Sequence, residues 1–450
     1  MRLNLAATLG IFLLALLVLG IEASAAPFEA DEADYVATSR YFGYLVLQRD
    51  VTRKEWGSNH WTRTQPPLTR YIVGAWLTGW GYDLEKLNQP YVSTASSFEV
   101  NRQKGRVPTD DVLARSRQPM VLLGAGAAAL LYPLGLVLGG PLAGVAAALL
   151  ALTSPFIRYT LVHTWAEAPL AFFLLLSALL AAVGVQRIVS QRVSVGRAAW
   201  WAVWLGLGLG LASATKLTGL VGVAPVLATA GLWLWAARGA EPEGSAALER
   251  GTAAMSGVRR ALLVWTAVAA AVTVAVFVIV NPYLWPDPLG GVMGMVEERR
   301  DEMAFQQDQW PEFAVKGWAE RPWLTTTGSL QVGPLAETPM AVLVNLPLAI
   351  VGLVAISRNL RQRSIPLAVV SLMAWAGVYL VAIVGGLGLK YPRYFMPTTL
   401  LLLPVVGLGV AVVVRAVWTR LPHTAGRARS TGVDPTAPSA RPASAGPRPS

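Results

Sequence analysis

Long apolar runs separated by short polar segments make up most of the chain. The runs are about 17–25 residues long, which is the length that an α-helix needs to cross roughly 30 Å of hydrocarbon. They predict ten membrane spans, at residues 5–21, 119–139, 141–155, 166–185, 199–215, 217–237, 261–280, 338–357, 366–386 and 395–415. The sequence therefore predicts an all-α polytopic membrane protein built as a bundle of transmembrane helices.

The composition supports this fold class. Of the 450 residues, 54% are hydrophobic and 14% are charged, whereas soluble domains have about 45–50% apolar and about 25% charged residues. An ordinary soluble enzyme is therefore excluded. The chain contains no cysteine, which rules out a disulfide framework, a thiolate metal site and a cysteine nucleophile.

The net charge of +11 has a membrane explanation. If the ten spans alternate in direction, the basic loops all fall on one side. The arginines concerned are Arg187, Arg192, Arg197, Arg238, Arg250, Arg259, Arg260, Arg358, Arg361, Arg363 and Arg415. The positive-inside rule assigns this side to the cytoplasm. It predicts a multi-pass protein of the inner (plasma) membrane with both termini in the cytoplasm, and it accounts for the charge without nucleic acid.

The first span leaves two alternatives. It is followed by Ala23-Ser24-Ala25-Ala26-Pro27, which resembles a signal-peptidase site, so the segment could be cleaved. The apolar run is long for a signal peptide, and polar residues with catalytic potential follow directly. We therefore interpret it as an uncleaved helix.

The predicted domain organisation is one membrane domain at residues 1–421 with two long extracytoplasmic segments, 22–118 and 281–337. In the first segment, apolar residues recur at helical spacing between Asp31 and Gln48, and a second apolar stretch follows Pro66-Pro67. Two surface helices fit this pattern. Residues 422–450 are rich in Pro, Ala, Ser, Arg and Gly, and are expected to form a disordered cytoplasmic tail.

Acidic residues mark the outer ends of two spans. Asp31 and Glu32 follow the first span, and a helix would place Tyr35 on the same face as Asp31, one turn away. Asp31 could instead be a helix N-cap. Glu167 begins the fourth span, four residues after His163. Such groups at membrane depth often serve function, although Glu167 could equally be a solvated acid in the first turn, beside interfacial aromatic residues.

Two cations also lie at outer ends, where the positive-inside rule does not explain them. Lys216 interrupts an apolar hairpin, and Arg393 lies between Tyr391 and Tyr394. A guanidinium is suited to bidentate recognition of phosphate. We interpret both as candidate phosphate contacts, with extension towards lipid headgroups as the alternative for Lys216.

The order of these motifs resembles that of integral-membrane glycosyltransferases with the GT-C fold, which take sugar from a polyprenyl phosphate. The nearest groups are the protein O-mannosyltransferases and the transferases that put aminoarabinose on lipid A. The matching motifs are Asp31-Glu32-x-x-Tyr35, Pro66-Pro67-Leu68, Arg115-x-Arg117, Thr153-Ser154-Pro155, His163-x-x-x-Glu167, Ala214-Thr215-Lys216, Asn281-Pro282-Tyr283-Leu284-Trp285-Pro286 and Arg393-Tyr394-Phe395-Met396-Pro397. Their order along the chain is more specific than any single motif.

The resemblance implies a division of labour. Asp31 would be the general base for an acceptor hydroxyl, with Glu32 beside it, and Glu167 would orient acceptor or donor. Lys216 and Arg393 would hold the phosphate of the lipid donor. The remaining candidate substrate-binding residues are Tyr35, His60, Arg115, Arg117, His163 and Tyr394.

The sequence also departs from these relatives. Gln65 stands where they often have Lys or His before the Pro-Pro-Leu motif, and His60 could replace that charge if the loop bends back. The acceptor hydroxyl could belong to a protein, a lipid or a glycan. A divalent cation could bridge Asp31, Glu167 and the phosphate, but no dedicated ligand spacing is visible, and a mechanism without metal is simpler.

Two further interpretations compete with the enzyme. A transporter or flippase for a lipid-linked sugar would need charged residues inside several spans, whereas here they cluster at outer ends. An inactive relative that acts as a scaffold is the other alternative, and the glutamine at position 65 leaves it open.

Overall fold

The computed structural model describes residues 4–58, 60–93, 97–238, 245–361 and 366–420. The predicted tail at 422–450 and Arg363 lie outside these residues. By its internal contacts the chain divides into two units, residues 1–412 and 413–450. Of the second unit, the described residues 413–420 form the end of the last helix.

The described residues form nineteen α-helices and no β-strand. The first seven are α1 (Leu5–Ala25), α2 (Ala30–Thr38), α3 (Arg40–Phe42), α4 (Glu55–Ser58), α5 (His60–Thr64), α6 (Leu68–Gly79) and α7 (Phe98–Gln103). The next six are α8 (Asp110–Gly139), α9 (Pro141–Thr153), α10 (Pro155–Val162), α11 (Glu167–Gln191), α12 (Val195–Thr215) and α13 (Val223–Arg238). The last six are α14 (Ser245–Val280), α15 (Pro288–Gln309), α16 (Glu320–Leu330), α17 (Pro339–Arg361), α18 (Leu367–Gly386) and α19 (Met396–Arg420). A π-helical turn covers Gly43–Leu47, and 3-10 turns cover Leu84–Lys86, Leu217–Gly222, Pro282–Leu284 and Pro392–Phe395.

Nine helices in the described residues are long and apolar enough to cross a membrane. They are α1, α8, α11, α12, α13, α14, α17, α18 and α19. Each coincides with a predicted span. The predicted class of an all-α polytopic membrane protein is therefore confirmed.

The predicted span at 141–155 is the one that differs. Here the structure has two helices, α9 and α10, which meet at an angle of 72°. Ser154 between them is extended, with ψ of 113°, because Pro155 disfavours the helical conformation of the residue before it. At about 1.5 Å per residue, the thirteen residues of α9 are too short to span the hydrocarbon alone.

The bent pair completes a tenth crossing. The carboxylate of Glu32 accepts hydrogen bonds from Arg117, near the start of α8, and from the backbone N–H of Thr164, just before α11, at 2.8 and 2.9 Å. Both helices therefore begin at the same end of the bundle. The chain leaves this end along α8 and must return along α9 and α10.

The first long segment packs onto this end of the bundle. Val36 of α2 and Val73 and Leu77 of α6 are fully buried in the same core as Leu19 of α1 and Met120 of α8. Gly74 allows this packing, because a Cβ at that position would lie 2.4 Å from the carbonyl oxygen of Ser39 and 2.6 Å from Phe42. The two predicted surface helices therefore correspond to α2 and α6, and both pack against this end of the bundle.

The start of α2 settles the alternative role of Asp31. Glu29 is the N-cap, and it forms a capping box with Glu32. Asp31 lies inside the first turn and is not the cap. On a helix the residues at positions i, i+3 and i+4 share a face, so Asp31, Asp34 and Tyr35 point together, away from Glu32.

Candidate active site

A cavity of about 780 Å³ lies at this end of the bundle. That volume is typical of sites for small molecules and cofactors. Its polar lining comes from segments that are distant in sequence and includes Asp31, Asp34, Tyr35, His60, Gln65, Arg70, Glu167, Lys216, Glu298, Arg299, Asp301, Glu302, Arg393 and Tyr394. Its apolar lining includes Leu217, Phe305, Ala382, Ile383, Leu387 and Met396.

Asp31 and Arg393 form an ion pair across this cavity. The guanidinium of Arg393 donates to the Asp31 carboxylate, although the two residues are 362 positions apart. Arg393 also lies over the ring of Trp165, with 5.1 Å between the guanidinium carbon and the ring centroid. The Asp31 side chain is 44% exposed, so a substrate in the cavity can reach its carboxylate.

Glu167 and Lys216 form a second ion pair. The ammonium of Lys216 is 2.8 Å from Oε1 of Glu167 and 5.4 Å from the ring centroid of Tyr394. The Glu167 side chain is almost fully buried, whereas that of Lys216 is 26% exposed. Lys216 is held in place because the turn after it packs closely on α12, and a Cβ at Gly219 would lie 2.4 Å from the backbone of Ala212. Lys216 therefore lines the cavity with Tyr394 and Arg393, instead of extending towards lipid headgroups.

Tyr35 lies at the cavity wall but does not contact Asp31 through its hydroxyl. The hydroxyl donates to Oε1 of Gln65 at 2.5 Å. Burial raises the pKa of Tyr35, so the phenol stays protonated and acts as a donor. Gln65, which replaces the charged residue expected before Pro66-Pro67, therefore belongs to the cavity wall together with Tyr35.

His60 also lines the cavity, where it contacts acids of α15. Its ring nitrogens lie 3.4 Å from Glu298 and 3.9 Å from Glu302. The nearby carboxylates of Glu302 and Glu298 raise the pKa of His60 against the opposing effect of its burial. Arg63 donates to Glu298 at 2.5 Å. The first and second long segments are therefore joined by a cluster of ion pairs at the rim of the cavity.

This cluster continues to the last helix. Arg299 of α15 donates to Glu302 and, at 2.9 Å, to the hydroxyl of Tyr394. Burial opposes ionisation of Glu302, but the nearby His60 and Arg299 outweigh it and lower the pKa of this carboxyl. Helix α15 thus contacts Tyr394, which lies beside the proposed phosphate contact Arg393.

Two buried groups of the cavity were not predicted from the sequence. Asp34 is 7% exposed, and burial raises its pKa to about 8, although the backbone N–H of Tyr91 donates to it at 2.8 Å. Arg70 is 1% exposed. The sequence held a signal for each, because Asp34 shares a helix face with Asp31, and Arg70 lies two residues after the Pro66-Pro67-Leu68 motif.

Three of the candidate residues lie behind the cavity wall and not in it. Glu32 is fully buried and forms a salt bridge of 2.6 Å with Arg117. His163 is also fully buried; its ring nitrogens lie 2.7 Å and 3.2 Å from the carbonyl oxygens of Tyr159 and Pro27. These residues hold α2 against the starts of α8 and α11. Their contacts correspond to a supporting role for the helix that carries Asp31.

Arg115 lies farther away on the surface. Its guanidinium lies 4.0 Å from the centroid of the Trp80 ring and 3.8 Å from Asp111. It does not line the cavity. Within the described part of the chain, no three His, Asp or Glu side chains group closely enough to hold a metal ion.

These features define a polytopic helical membrane protein with a charged cavity at one end of its bundle. Among solved structures, the chain is similar to ArnT from Cupriavidus metallidurans bound to undecaprenyl phosphate, with a TM-score of 0.52 and 15% identity over 93% of this chain. It is also similar to the archaeal oligosaccharyltransferase AglB from Archaeoglobus fulgidus in complex with an inhibitory peptide and a dolichol-phosphate, with a TM-score of 0.53 and 13% identity over 94% of this chain.

Both neighbours have the GT-C fold, and the chain has this fold too, as the order of its motifs implied. It spans 62% of the ArnT chain and 52% of the AglB chain. No protein-family model and no curated protein sequence matches it. At identities this low the likeness defines the fold, and function has to be argued from the cavity.

Proposed function

We propose that this protein is a membrane glycosyltransferase, which moves a sugar from a polyprenyl-phosphate carrier to an acceptor hydroxyl on the extracytoplasmic side. One observation carries the proposal: a single cavity brings an accessible carboxylate, Asp31, together with two cations, Lys216 and Arg393. The bound undecaprenyl phosphate and dolichol-phosphate of the two structural neighbours support the choice of donor.

The proposed reaction needs a base and a site for a phosphate. The acceptor oxygen attacks the anomeric carbon of the sugar, the bond from that carbon to the phosphate oxygen breaks, and the hydroxyl proton moves to the carboxylate of Asp31. The phosphate changes from a diester to a monoester and gains one negative charge. Fixed cations next to the leaving oxygen stabilise this charge in the transition state, and a carboxylate within reach of the hydroxyl can act as the base.

Two ion pairs, Asp31 with Arg393 and Glu167 with Lys216, neutralise one another's charges in this structure. In the proposed complex, the donor phosphate replaces the Asp31 carboxylate next to Arg393 and also contacts Lys216, which stays paired with Glu167. Arg393 would leave Asp31, whose carboxylate is then available to the acceptor. Glu167 keeps Lys216 in position through the 2.8 Å contact. In this scheme Glu32, Arg117 and His163 support α2 and do not take part in the reaction.

The apolar wall of the cavity suits the lipid part of the donor. Ala382, Ile383 and Leu387 at the end of α18 line the cavity, and Val381 beside them is 71% exposed on the surface of that helix. A prenyl chain could therefore lie along α18 while its phosphate reaches Lys216 and Arg393. The membrane itself supplies this substrate.

Charge distribution supports the extracytoplasmic side. The cavity lies where α11 begins and α12 ends, so the connection that carries Arg192 lies at the opposite end. The start of α18 lies at that end as well, because the backbone N–H of Ala368 donates to Gln186 near the end of α11 at 3.2 Å, and the end of α17 with Arg358 precedes it closely in sequence. The positive-inside rule assigns the basic end to the cytoplasm, and the proposal accordingly places the enzyme in the inner (plasma) membrane.

The position of buried charge favours an enzyme over a transporter. In the described ranges the buried charged side chains are Glu32, Asp34, Arg70, Arg117 and Glu167. All five belong to the cavity end, in α2, in α6 or near the starts of α8 and α11. A transporter would need charged groups inside several spans, whereas these five lie at one end of the bundle.

The test is sugar release from a panel of radiolabelled polyprenyl-phosphate sugars by purified protein in lipid. Asp31→Asn should lose transfer by at least about a hundredfold, since general base catalysis contributes roughly that factor or more. Asp308→Asn is the matched control, because Asp308 is an exposed acid of α15 outside the cavity lining. Equal sugar release by wild type and Asp31→Asn would refute the role of Asp31 as the base. If folded wild type releases no sugar with any donor and acceptor, the transporter or the inactive scaffold is favoured.

A further inference from the structure

The cations that line the cavity differ in their partners. Lys216, Arg393 and Arg299 each form a salt bridge with a carboxylate, and His60 lies next to two. Arg70 has no carboxylate within 4.0 Å in the part of the chain that the structure describes, although its side chain is 1% exposed. A buried charge without a partner is costly, so this guanidinium needs an explanation.

Arg117 provides the comparison within the same protein. It is also buried, and it uses all five of its N–H groups. It donates twice to Glu32 and three times to the carbonyl oxygens of Ala23, Ala26 and Pro27. This is the pattern of an arginine whose role is structural.

Arg70 has a different pattern. Its Nε donates to Thr38 at 2.8 Å, and its Nη1 donates to the backbone carbonyl of Gln65 at 3.0 Å. Its Nη2 donates to no described residue, yet it is not enclosed by protein. Since Arg70 lines the cavity, this N–H edge is directed at the space where a ligand would lie.

The surroundings of Arg70 do not neutralise its charge. The Tyr35 ring lies 5.5 Å from the guanidinium carbon, and Tyr35 stays protonated. Asp34 is an acid that interacts electrostatically with Arg70, and burial raises its pKa to about 8, so at neutral pH most of it is uncharged. The positive charge at this wall of the cavity is therefore available to an anion from outside the chain.

We propose that Arg70 forms a second anion subsite in the cavity, which binds a carboxylate or phosphate group of the acceptor while Lys216 and Arg393 hold the phosphate of the lipid donor. The assignment to the acceptor rests on the proposed function; the anion subsite itself does not. Nη2 and the outer N–H of Nη1 would donate two parallel hydrogen bonds to the anion. This is the bidentate geometry that a guanidinium offers to carboxylate and phosphate. Neutral Asp34 would add a hydroxyl donor. The subsite therefore predicts that the acceptor is itself acidic.

Two probes test the subsite without the natural substrates. Purified protein in phosphatidylcholine nanodiscs is loaded with undecaprenyl phosphate and then titrated by calorimetry with glucuronate or with glucose, its neutral counterpart. Wild type should bind glucuronate and not glucose. Arg70→Gln should weaken glucuronate binding by at least about tenfold, the effect of losing one charge-assisted hydrogen bond.

Arg40→Gln is the matched control. Arg40 follows α2 closely and also donates to backbone carbonyls, those of Ala37 and Asn88 at 2.6 and 3.0 Å, but it does not line the cavity. Its variant should bind glucuronate as wild type does. Arg70→Lys keeps the charge with fewer donors and should show intermediate affinity.

Three results would overturn the subsite. The first is a glucuronate affinity in Arg70→Gln that equals that of wild type. The second is a loss of affinity for undecaprenyl phosphate in Arg70→Gln that is as large as the loss in Arg393→Gln. The third uses wild type alone: if glucuronate and undecaprenyl phosphate compete, they share one site. This experiment remains decisive if the Arg70 variants do not fold.

The outcome also separates the subsite from the proposed function. If undecaprenyl phosphate does not bind wild type at all, the donor assignment fails. Glucuronate binding that is lost in Arg70→Gln and retained in Arg393→Gln would still support the subsite. Conversely, sugar transfer to a neutral acceptor with unaffected kinetics in Arg70→Gln would support the enzyme and refute an acidic acceptor.

Discussion

At the scale of single residues, three neighbouring carboxylates have three different environments. Asp31 is accessible and paired with Arg393, Glu32 is fully buried and paired with Arg117, and Asp34 is buried without a cationic partner within salt-bridge distance among the described residues. The ability of each to take up a proton therefore differs. The proposed mechanism needs a base that a substrate can approach, and of these three acids only Asp31 is substantially exposed to the cavity.

Asp34 should make stability depend on pH. Its carboxyl has an ordinary pKa of 3.8 in the unfolded chain and a pKa of about 8 in the folded protein. Between these values the unfolded chain releases a proton that the folded protein retains, so the free energy of unfolding falls as pH rises. Asp34→Asn cannot ionise, and its amide oxygen can still accept from Tyr91. Its melting temperature should exceed that of wild type by a margin that grows from pH 5 to pH 8 and then levels off.

Thermal unfolding in detergent at pH 5, 6, 7, 8 and 9 measures this margin. Asp308→Asn serves as the control and should follow the wild-type curve. Parallel curves for wild type and Asp34→Asn would contradict the raised pKa of Asp34.

At the scale of elements, α15 is fixed over the cavity by polar contacts. Its buried apolar residue is Met295, while His60 and Arg63 of α5 contact Glu298. An element held by a few partly exposed ion pairs opens more easily than one held by an apolar core. Helix α15 is therefore the part of the cavity wall that we expect to move when substrate enters.

Glu298→Gln should loosen this contact. The variant removes the charge that His60 and Arg63 share, and pairs of this exposure contribute about 0.2–1 kcal/mol each. Hydrogen exchange in α5 and α15 should become about two- to fivefold faster. Glu297→Gln changes an exposed acid one position away and should leave exchange unchanged.

The same contact should weaken as pH rises. Because the nearby carboxylates of Glu302 and Glu298 raise the pKa of His60, the charged contact of His60 is complete at low pH and is lost as pH rises through this raised pKa. Exchange in wild-type α15 should therefore be faster at pH 8 than at pH 6 after correction for intrinsic rates. Equal protection in wild type and Glu298→Gln at both pH values would mean that apolar packing holds α15.

At the scale of the whole molecule, the cavity and the basic connections occupy opposite ends of the bundle. The natural absence of cysteine permits a direct test of which end faces out. Glu99→Cys introduces a thiol at an exposed position of α7 at the cavity end, and Ser190→Cys introduces one at the opposite end of α11. A membrane-impermeant maleimide should label the first in intact cells and the second only after permeabilisation. The reverse pattern would refute the extracytoplasmic cavity.

The sequence by itself determined the properties that depend on local pattern. Span length, loop charge and the face shared by Asp31 and Tyr35 follow from the geometry of a helix and the thickness of a bilayer. The predicted spans therefore match the helices. The exception at α9 and α10 arose because an apolar run does not reveal the angle at which a proline breaks it.

Only the tertiary structure decided which polar groups meet. The pairing of Asp31 with Arg393 depends on the rotation of α2 about its axis, which its packing on α6 and α8 sets. A rotation of about 100° would bring Glu32 in place of Asp31 to the cavity, and no local signal distinguishes the two. The tertiary structure likewise decided that Arg70 has no carboxylate partner among the described residues. That property depends on which residues are neighbours in space, and sequence neighbours do not reveal it.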